Sequence, residues 1–516
     1  MPSDTTSQAK VGLRRFVFGA PLMVFGVLIV TSLFIPDQFL AVTSAINTQI
    51  LDRLIYGFAG ATFIFVLTCL WAAFSPLGSI RIGGKDAKPI LSKWNWMAIT
   101  LTTTVAIGIL FWATAEPIYH LAEPGGLDAE PSSERAGRFA MSSLFMHWTV
   151  TPYAIYTIPG LTFALAYHNW HLPFSLASPF RAVRGRAVPN PVRDGLDSLA
   201  VLSLLFGLAA SLGAGILSLA GGLDRLAGTG SGPWVTGFFA LLVISGFAIS
   251  SASGLQRGIR VLSDINTRLF ILFMVAVFLL GPTLKIVSVG AQAVLDYGIE
   301  FLPRSLLLPP FDDQDWAKAW TVFYFANWLA WAPLSAMFLG RISRGYTVRT
   351  YILVNLVLPA IFSMVWMSIF GGFSVILETD TPGRLSAVMD AGGPERVLYA
   401  VLDALPVGAA LAALVIVLSY LSYVTAADSS TSVLAQITDH DSEPRPDGVQ
   451  PRRAWPKIIF AVAVGLAAWS MVSLSGIDGV RMLSNLGGLP ALFIVSAFNL
   501  TLIWMGTKGL KALKAS

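Results

Sequence analysis

The sequence predicts an all-α membrane protein with twelve transmembrane helices. Three observations carry that prediction: a composition too apolar for one soluble core, uncharged stretches of membrane-spanning length, and positive charge gathered in alternate loops. Of 516 residues, 55% are hydrophobic and only 12% charged, with a mean hydropathy of +0.69. A bilayer crossing takes about 20 apolar residues. Stretches near that size recur at Phe16 to Ile35, Ile55 to Ser75, Trp234 to Ala252, Leu269 to Thr283, Thr350 to Val375, Val407 to Ala427, Ile459 to Ser475 and Leu486 to Gly506. Any one of them fits a buried soluble helix; the set does not.

The twelve predicted helices cover roughly 16–36, 53–75, 95–121, 139–168, 196–222, 233–252, 262–290, 316–338, 348–375, 400–435, 456–475 and 485–507. The first follows Lys10, Arg14 and Arg15 as a signal sequence would, but it is too long for one and no small-x-small cleavage site follows, so it reads as a retained helix. The count is tested by charge, because one helix more or fewer inverts every later loop. Most of the 34 Lys and Arg fall on one side, among them Arg81, Lys85, Lys88 and Lys93, then Arg181, Arg184, Arg186 and Arg193, then Arg341, Arg344 and Arg349. The opposite loops are acidic, with Glu123, Asp128, Glu130 and Glu134 in one and Asp312, Asp313 and Asp315 in another. Both termini are therefore expected in the cytoplasm, with the chain multi-pass in the cytoplasmic (inner) membrane and the lipid bilayer as its partner. The net charge of +5 reflects that orientation and gives no case for nucleic acid. Cys69 is the only cysteine, which excludes an intrachain disulfide and a cysteine-based metal site. The polar ends are short, so neither a soluble enzymatic or sensor domain nor strong osmotic activation is expected, and Thr438 to Pro456 reads as a solvated cytoplasmic loop.

Interruptions inside membrane helices mark places where protein or a water-filled cavity satisfies the backbone. Helix 3 carries Thr102, Thr103, Thr104 and Gly108 before Glu116-Pro117, and helix 5 carries Gly213, Gly215, Gly221 and Gly222. Each reads either as an unwound segment or as close small-residue packing. The aromatics say more. Helix 4 has Trp148, Tyr153 and Tyr156; helix 8 has Trp328 and Trp331 one turn apart, beside Asn327 and just before Pro333. Such rings serve either as interfacial anchors or as a cage whose π faces attract a methylated ammonium. Ionisable groups within membrane segments raise functional suspicion: Glu116, His147, Asp264, Arg268 and Asp428.

Trp320 to Gly345, WTVFYFANWLAWAPLSAMFLGRISRG, resembles the signature of the betaine/carnitine/choline transporter family. The resemblance extends through ILFWATAEPIYH (Ile109 to His120), MHWTVTPYAIY (Met146 to Tyr156), SGLQRGIRVLSDIN (Ser253 to Asn266) and TAADSS (Thr425 to Ser430), in the family's order over nearly the whole chain. It implies an inverted five-helix repeat of the LeuT-like kind and a homotrimer. On that reading residues 1–94 form the N-terminal tail with two peripheral helices, 95–290 the first repeat, 291–315 an extracytoplasmic connection, 316–507 the second repeat and 508–516 a short cytoplasmic tail. It implies a secondary active transporter of a small quaternary-ammonium, betaine-like or related onium substrate. Trp148, Tyr153, Tyr156 and Trp328 match the family's central aromatic box, and Trp331 a flanking site on the exit path. Tyr153 stands where a Trp is common, and Asn327 replaces the first Trp of a usual pair, adding an amide that either meets the substrate or serves helix packing.

Coupling departs most from the family pattern. Sodium-coupled members ligate the ion through helix-3 carbonyls, a Thr-Ser pair on helix 10 and two threonines on helix 5. Here those positions read Thr425-Ala426, Leu204 and Leu208, leaving carbonyls such as those of Thr102 and Val105. No cofactor is expected; the only possible metal is sodium at Thr425, and sodium coupling is expected to be weakened or absent. Ordinary sodium symport, proton symport through Asp428 or Glu116, and substrate/product exchange remain open, and Asp428 also has a structural, hydrogen-bonding reading. A membrane channel is another class of function. A membrane-embedded enzyme would need a catalytic constellation, and the sequence contains none: no His-Asp-Glu metal cluster, Ser-His-acid arrangement or phosphate-cradling Gly loop.

Overall fold

Lipid offers the backbone no hydrogen-bonding partner, so a chain this apolar must satisfy its amides internally. The computed structural model does so with helices throughout; it describes residues 12–104, 108–253, 256–439 and 455–515, and of the side chains not those of 102–104, 250–253, 256–264 and 429. Val105, the side chains of Thr102 and Asp264, and most of the predicted loop from Thr438 to Pro456 lie outside the described residues. Among those residues the only β pairing is two isolated bridges, Leu13 with Asp439 and Arg81 with Thr347.

The chain opens with α1 (Arg15–Phe34) and α2 (Pro36–Phe74), parted by Ile35 alone. Helix α2 starts well before the predicted residue 53, with Pro36 preset for a first helical turn. Its early half is polar and had read as a loop, but it is helix held by tertiary partners: Asn485 donates to Asn47 at 2.8 Å, and Lys318 pairs with Asp52 at 2.6 Å. Helices α3 (Lys93–Thr104) and α4 (Ile109–Ala122) lie within the third predicted helix, and α5 (Glu134–Trp148) and α6 (Val150–Ala164), parted at Thr149, within the fourth. The short α7 (Ser178–Arg184) leads to α8 (Asn190–Ala227), which runs 38 residues without a break. Its glycines are sites of close approach: a Cβ on Gly215 would lie 2.2 Å from the Tyr423 ring, and one on Gly222 would lie 2.4 Å from the Tyr399 hydroxyl.

Next come α9 (Pro233–Ser253), α10 (Gln256–Leu280) and α11 (Thr283–Ser305). The seventh helix was expected to reach residue 290, yet the chain bends by 107° between α10 and α11, at Gly281-Pro282. The second half holds α12 (Gln314–Ala317), α13 (Phe323–Ile342), α14 (Val348–Ile352) and α15 (Leu358–Asp380). The wider turns Lys318–Val322 and Leu353–Val357 join α12 to α13 and α14 to α15. Helices α16 (Ser386–Gly392) and α17 (Val397–Asp403) precede α18 (Gly408–Ile437), and α19 (Trp455–Gly506) precedes α20 (Leu510–Ala515). The two helices predicted at 456–475 and 485–507 both lie within α19, which breaks at Gly476; its φ of 54° and ψ of −130° are far from helical values and favour a residue without a Cβ.

Seven of the described helices are long and apolar enough to cross a membrane, or eight if the bent pair is one span. Burial separates an inner from an outer set. The apolar window of α8 is 83% buried and that of the α12–α13 run 78%, against 28% for α1, so α8 and α13 are central and α1 peripheral. Helix α19 packs along both α8 and α13, and α13 packs along α6. The outer helices turn bare apolar side chains outward, as at Phe34, Phe74 and Leu284. In a bilayer such faces meet lipid tails.

On the side predicted to be cytoplasmic, Arg14 joins three parts of the fold. Its guanidinium pairs with Asp194 and Asp197 in the first turns of α8 and donates to the Ile437 carbonyl at the end of α18 at 3.0 Å, while its backbone N–H donates to Thr438 at 2.7 Å.

Candidate functional site

Helix α5 ends at Trp148 and α6 begins at Val150; between them Thr149 has φ −120° and ψ −111°, far from helical values. Pro152 lies three residues on, and without an N–H it cannot continue the α5 ladder. The result is a break in the middle of the fourth predicted helix, where a continuous helix had been expected. Trp148 lies on one side of it, and Tyr153 and Tyr156 on the other.

Opposite the break, α13 brings Trp328. Its ring centroid is 5.6 Å from Trp148, 5.6 Å from Tyr153 and 5.4 Å from Tyr156, with interplanar angles of 80°, 61° and 67°. Rings so steeply inclined to a common neighbour stand as walls rather than as a stack. None of the four is more than 5% exposed. The polar edges are tied down as well: the Trp328 indole N–H donates to the His147 carbonyl at 3.0 Å, and the Tyr153 hydroxyl bonds Ser363 Oγ at 2.8 Å. The His147 carbonyl belongs to the last turn of α5, where a helix end leaves acceptors free.

Behind Trp148 lies a buried polar knot. Glu116 is fully buried, and its Oε2 accepts the Trp148 indole N–H at 2.8 Å. Its Oε1 lies 2.6 Å from His147 Nδ1 and 3.1 Å from His120 Nε2, and His147 Nε2 lies 3.0 Å from the Thr321 hydroxyl. The donor atoms of Glu116, His120 and His147 fall within 4.8 Å of one another, which raises the question of a metal. Ligands about a tetrahedral zinc at about 2.1 Å would stand roughly 3.4 Å apart. The two shorter separations are hydrogen-bond lengths, so the group is a hydrogen-bonded network.

Of the other predicted residues, Asn327 accepts from Ser484 Oγ on α19 at 3.2 Å, and Trp331 packs on α8, where a Cβ on Gly207 would meet its ring at 3.0 Å. Thr425 donates its hydroxyl to Leu421 and Ser422 within α18, and Asp428 accepts from Lys457 of α19 at 3.0 Å. Leu204 and Leu208 are buried in α8 as hydrocarbon, which does not fit the oxygen donors that sodium requires. The residues that escaped sequence reasoning are His120, Thr321 and Ser363. His120 lies four residues after Glu116, on the same face of α4, and that spacing is the one local signal that could have found it.

Residues 16–512 match the model of the family described as BCCT, betaine/carnitine/choline family transporter. The chain belongs to that family. The resemblance read from the sequence is thereby borne out, and this BCCT member is a multi-span membrane transporter, not an enzyme. It is 33% identical over 456 residues to glycine betaine transporter 1 of Vibrio parahaemolyticus serotype O3:K6 (strain RIMD 2210633), covering 86% of this chain and 84% of that relative. The ectoine/hydroxyectoine transporter of Virgibacillus pantothenticus is 30% identical over 502 residues, covering 97% and 98%. The high-affinity choline transport protein of Escherichia coli (strain K12) is 29% identical, over 85% of this chain and 64% of that longer relative.

Proposed function

We propose that this BCCT protein carries a small methylated onium substrate, of the betaine or choline kind, across the cytoplasmic membrane by alternating access. Trp148, Tyr153, Tyr156 and Trp328 would enclose the ammonium head. The observation that carries the reading is the three buried rings set around Trp328 at 5.4 to 5.6 Å. A quaternary ammonium has no N–H to donate, so acceptors gain no hydrogen bond from it; aromatic faces attract its charge at about 0.5–2 kcal/mol each. The relatives named for glycine betaine and choline transport support the same substrate class.

Weakened or absent sodium coupling belongs to the same proposal, because Leu204, Leu208 and Ala426 occupy positions where the resemblance places hydroxyl ligands. Proton symport or substrate exchange would then drive accumulation. Twelve crossings also belong to it: the bent pair brings seven long spans to eight, the kink in α19 makes nine, α3–α4 and α5–α6 taken as one crossing each make eleven, and α9 is the twelfth. Both termini would be cytoplasmic and the assembly a homotrimer, as the resemblance implies.

Saturable uptake and counterflow in proteoliposomes test the carrier, with glycine betaine, choline, carnitine, a sulfonium betaine and a trimethylamine-type substrate as the panel. Non-saturable flux without counterflow would point to a channel. Undiminished uptake by Trp328→Ala would remove the box.

A further inference from the structure

We infer that Glu116 is a positioning residue which strengthens the cation affinity of Trp148 by holding a negative charge on its indole N–H. This deepens the proposed function and rests on the aromatic box.

The chemistry starts from hydrogen-bond roles. The Trp148 indole nitrogen can only donate, so Glu116 Oε2 is an acceptor at 2.8 Å. At Oε1 two imidazole nitrogens converge, His147 Nδ1 and His120 Nε2. An ionised carboxylate accepts all three contacts; a protonated one would have to turn a donor toward one of them. His120 Nδ1 is buried with no hydrogen-bond partner, as suits a bare lone pair and not an imidazolium N–H. His147 can place its single proton on Nδ1, toward Glu116, while its Nε2 accepts the Thr321 hydroxyl. His120 is thus neutral, and the charge of Glu116 stands at the indole N–H through Oε2.

The nearby cations do not cancel it, because each has its own carboxylate. Arg304, which shares a water-sized cavity with His147 and Thr321, donates to Glu300 at 2.8 Å. Arg481, 4.4 Å above the Trp320 ring, donates to Asp478 at 3.2 Å.

An N–H bonded to an anion pushes electron density into the indole, and the attraction of a ring face for a cation is set by that density. Low dielectric magnifies the effect where water is excluded. Glu116 therefore acts through Trp148, one wall of the box, without touching the substrate.

The test compares a cation with its uncharged isostere. Glycine betaine and tert-butylacetate share one shape, with carbon replacing nitrogen in the latter; choline and tert-butylethanol form a second pair. Inhibition constants for both members are measured against uptake of whichever of glycine betaine and choline the wild type transports. Glu116→Gln keeps an acceptor for the indole and removes the charge, so the constant for the onium should rise roughly tenfold while that of the isostere stays level. Equal loss for both members, or no loss, overturns the inference. A double-mutant cycle adds a readout independent of the isosteres. Trp148→Phe removes the N–H, so Glu116→Gln should cost little further onium affinity in that background; additive losses overturn the inference. If Glu116→Gln does not reach the membrane, Trp148→Phe alone must narrow the discrimination between onium and isostere, and unchanged discrimination overturns the inference. Trp328→Ala is the control on the underlying reading: if it leaves onium affinity intact the box fails, whereas loss there with additive behaviour in the cycle sinks only the role of Glu116.

Discussion

The walls around Trp328 and the seam between α8 and α18 are both deep inside the fold, yet they are built from opposite materials. The first combines four rings with indole donors tied to a carbonyl and a carboxylate. The second is close packing of a glycine on a ring: Gly215 of α8 lies against Tyr423 of α18, where a Cβ would come within 2.2 Å. A buried polar group persists only when it is paired, whereas a buried methyl needs nothing but contact. The rings are thus fixed by hydrogen bonds at their edges, and the seam is held by close contact.

The sharpest way to break that contrast is to truncate one residue from each side. Trp328→Ala should lower uptake by about tenfold or more, since three ring contacts converge there, while Thr425→Ala should change it by less than about twofold. Radiolabelled uptake with matched surface expression measures both, and the reverse ranking would undo the comparison. Next in size is packing at the seam. Gly215→Ala forces a Cβ into the Tyr423 ring and should destabilise the protein by about 1–3 kcal/mol, read as a lower melting temperature in detergent. Retained stability would mean that the two helices are looser than their contact distances indicate.

A smaller effect is expected from Trp328→Phe, which keeps a reduced π face and should cost about threefold in uptake. Equal losses in the Phe and Ala variants would shift the emphasis from the ring to its indole N–H. Replacing an inward sodium gradient with potassium should alter uptake by less than about twofold. A steep sodium dependence that vanishes in Thr425→Ala would instead assign the ion to α18. Asp428→Asn should act on stability and not on coupling, because its pair with Lys457 is largely buried, so losing the carboxylate should lower the melting temperature in detergent while leaving the pH dependence of uptake in place. An uptake-versus-pH curve displaced in that variant would revive Asp428 as a proton carrier.

The membrane class and the identity of the rings were legible in the sequence, because hydrophobic length and aromatic motifs are local properties. Breaks and continuities were harder to read. Thr149 interrupts what read as one continuous helix, and its clue, Pro152, lies three residues away. The glycines of α8 left two readings open because the same small residues serve a bend or a close approach; partners on other helices decide which. The knot around Glu116 was out of reach for a similar reason. Its links to His147 and from His147 to Thr321 span 31 and 174 residues, and no local pattern registers such a meeting. Helix α2 was misjudged at its start because its polar residues are matched by partners far along the chain, among them Lys318 and Asn485.

Arg14 carries this dependence on distant partners into the order of synthesis. Its bond to the Ile437 carbonyl closes a loop of 423 residues, so the first helix enters the membrane long before its partner has been made. Until α8 emerges the guanidinium has neither Asp194 nor Asp197, and until α18 is complete it lacks the carbonyl. Docking of α1 is therefore among the last steps of assembly, and a ribosome-bound chain stopped before residue 437 should leave that helix free to be cross-linked to lipid or to the insertion machinery.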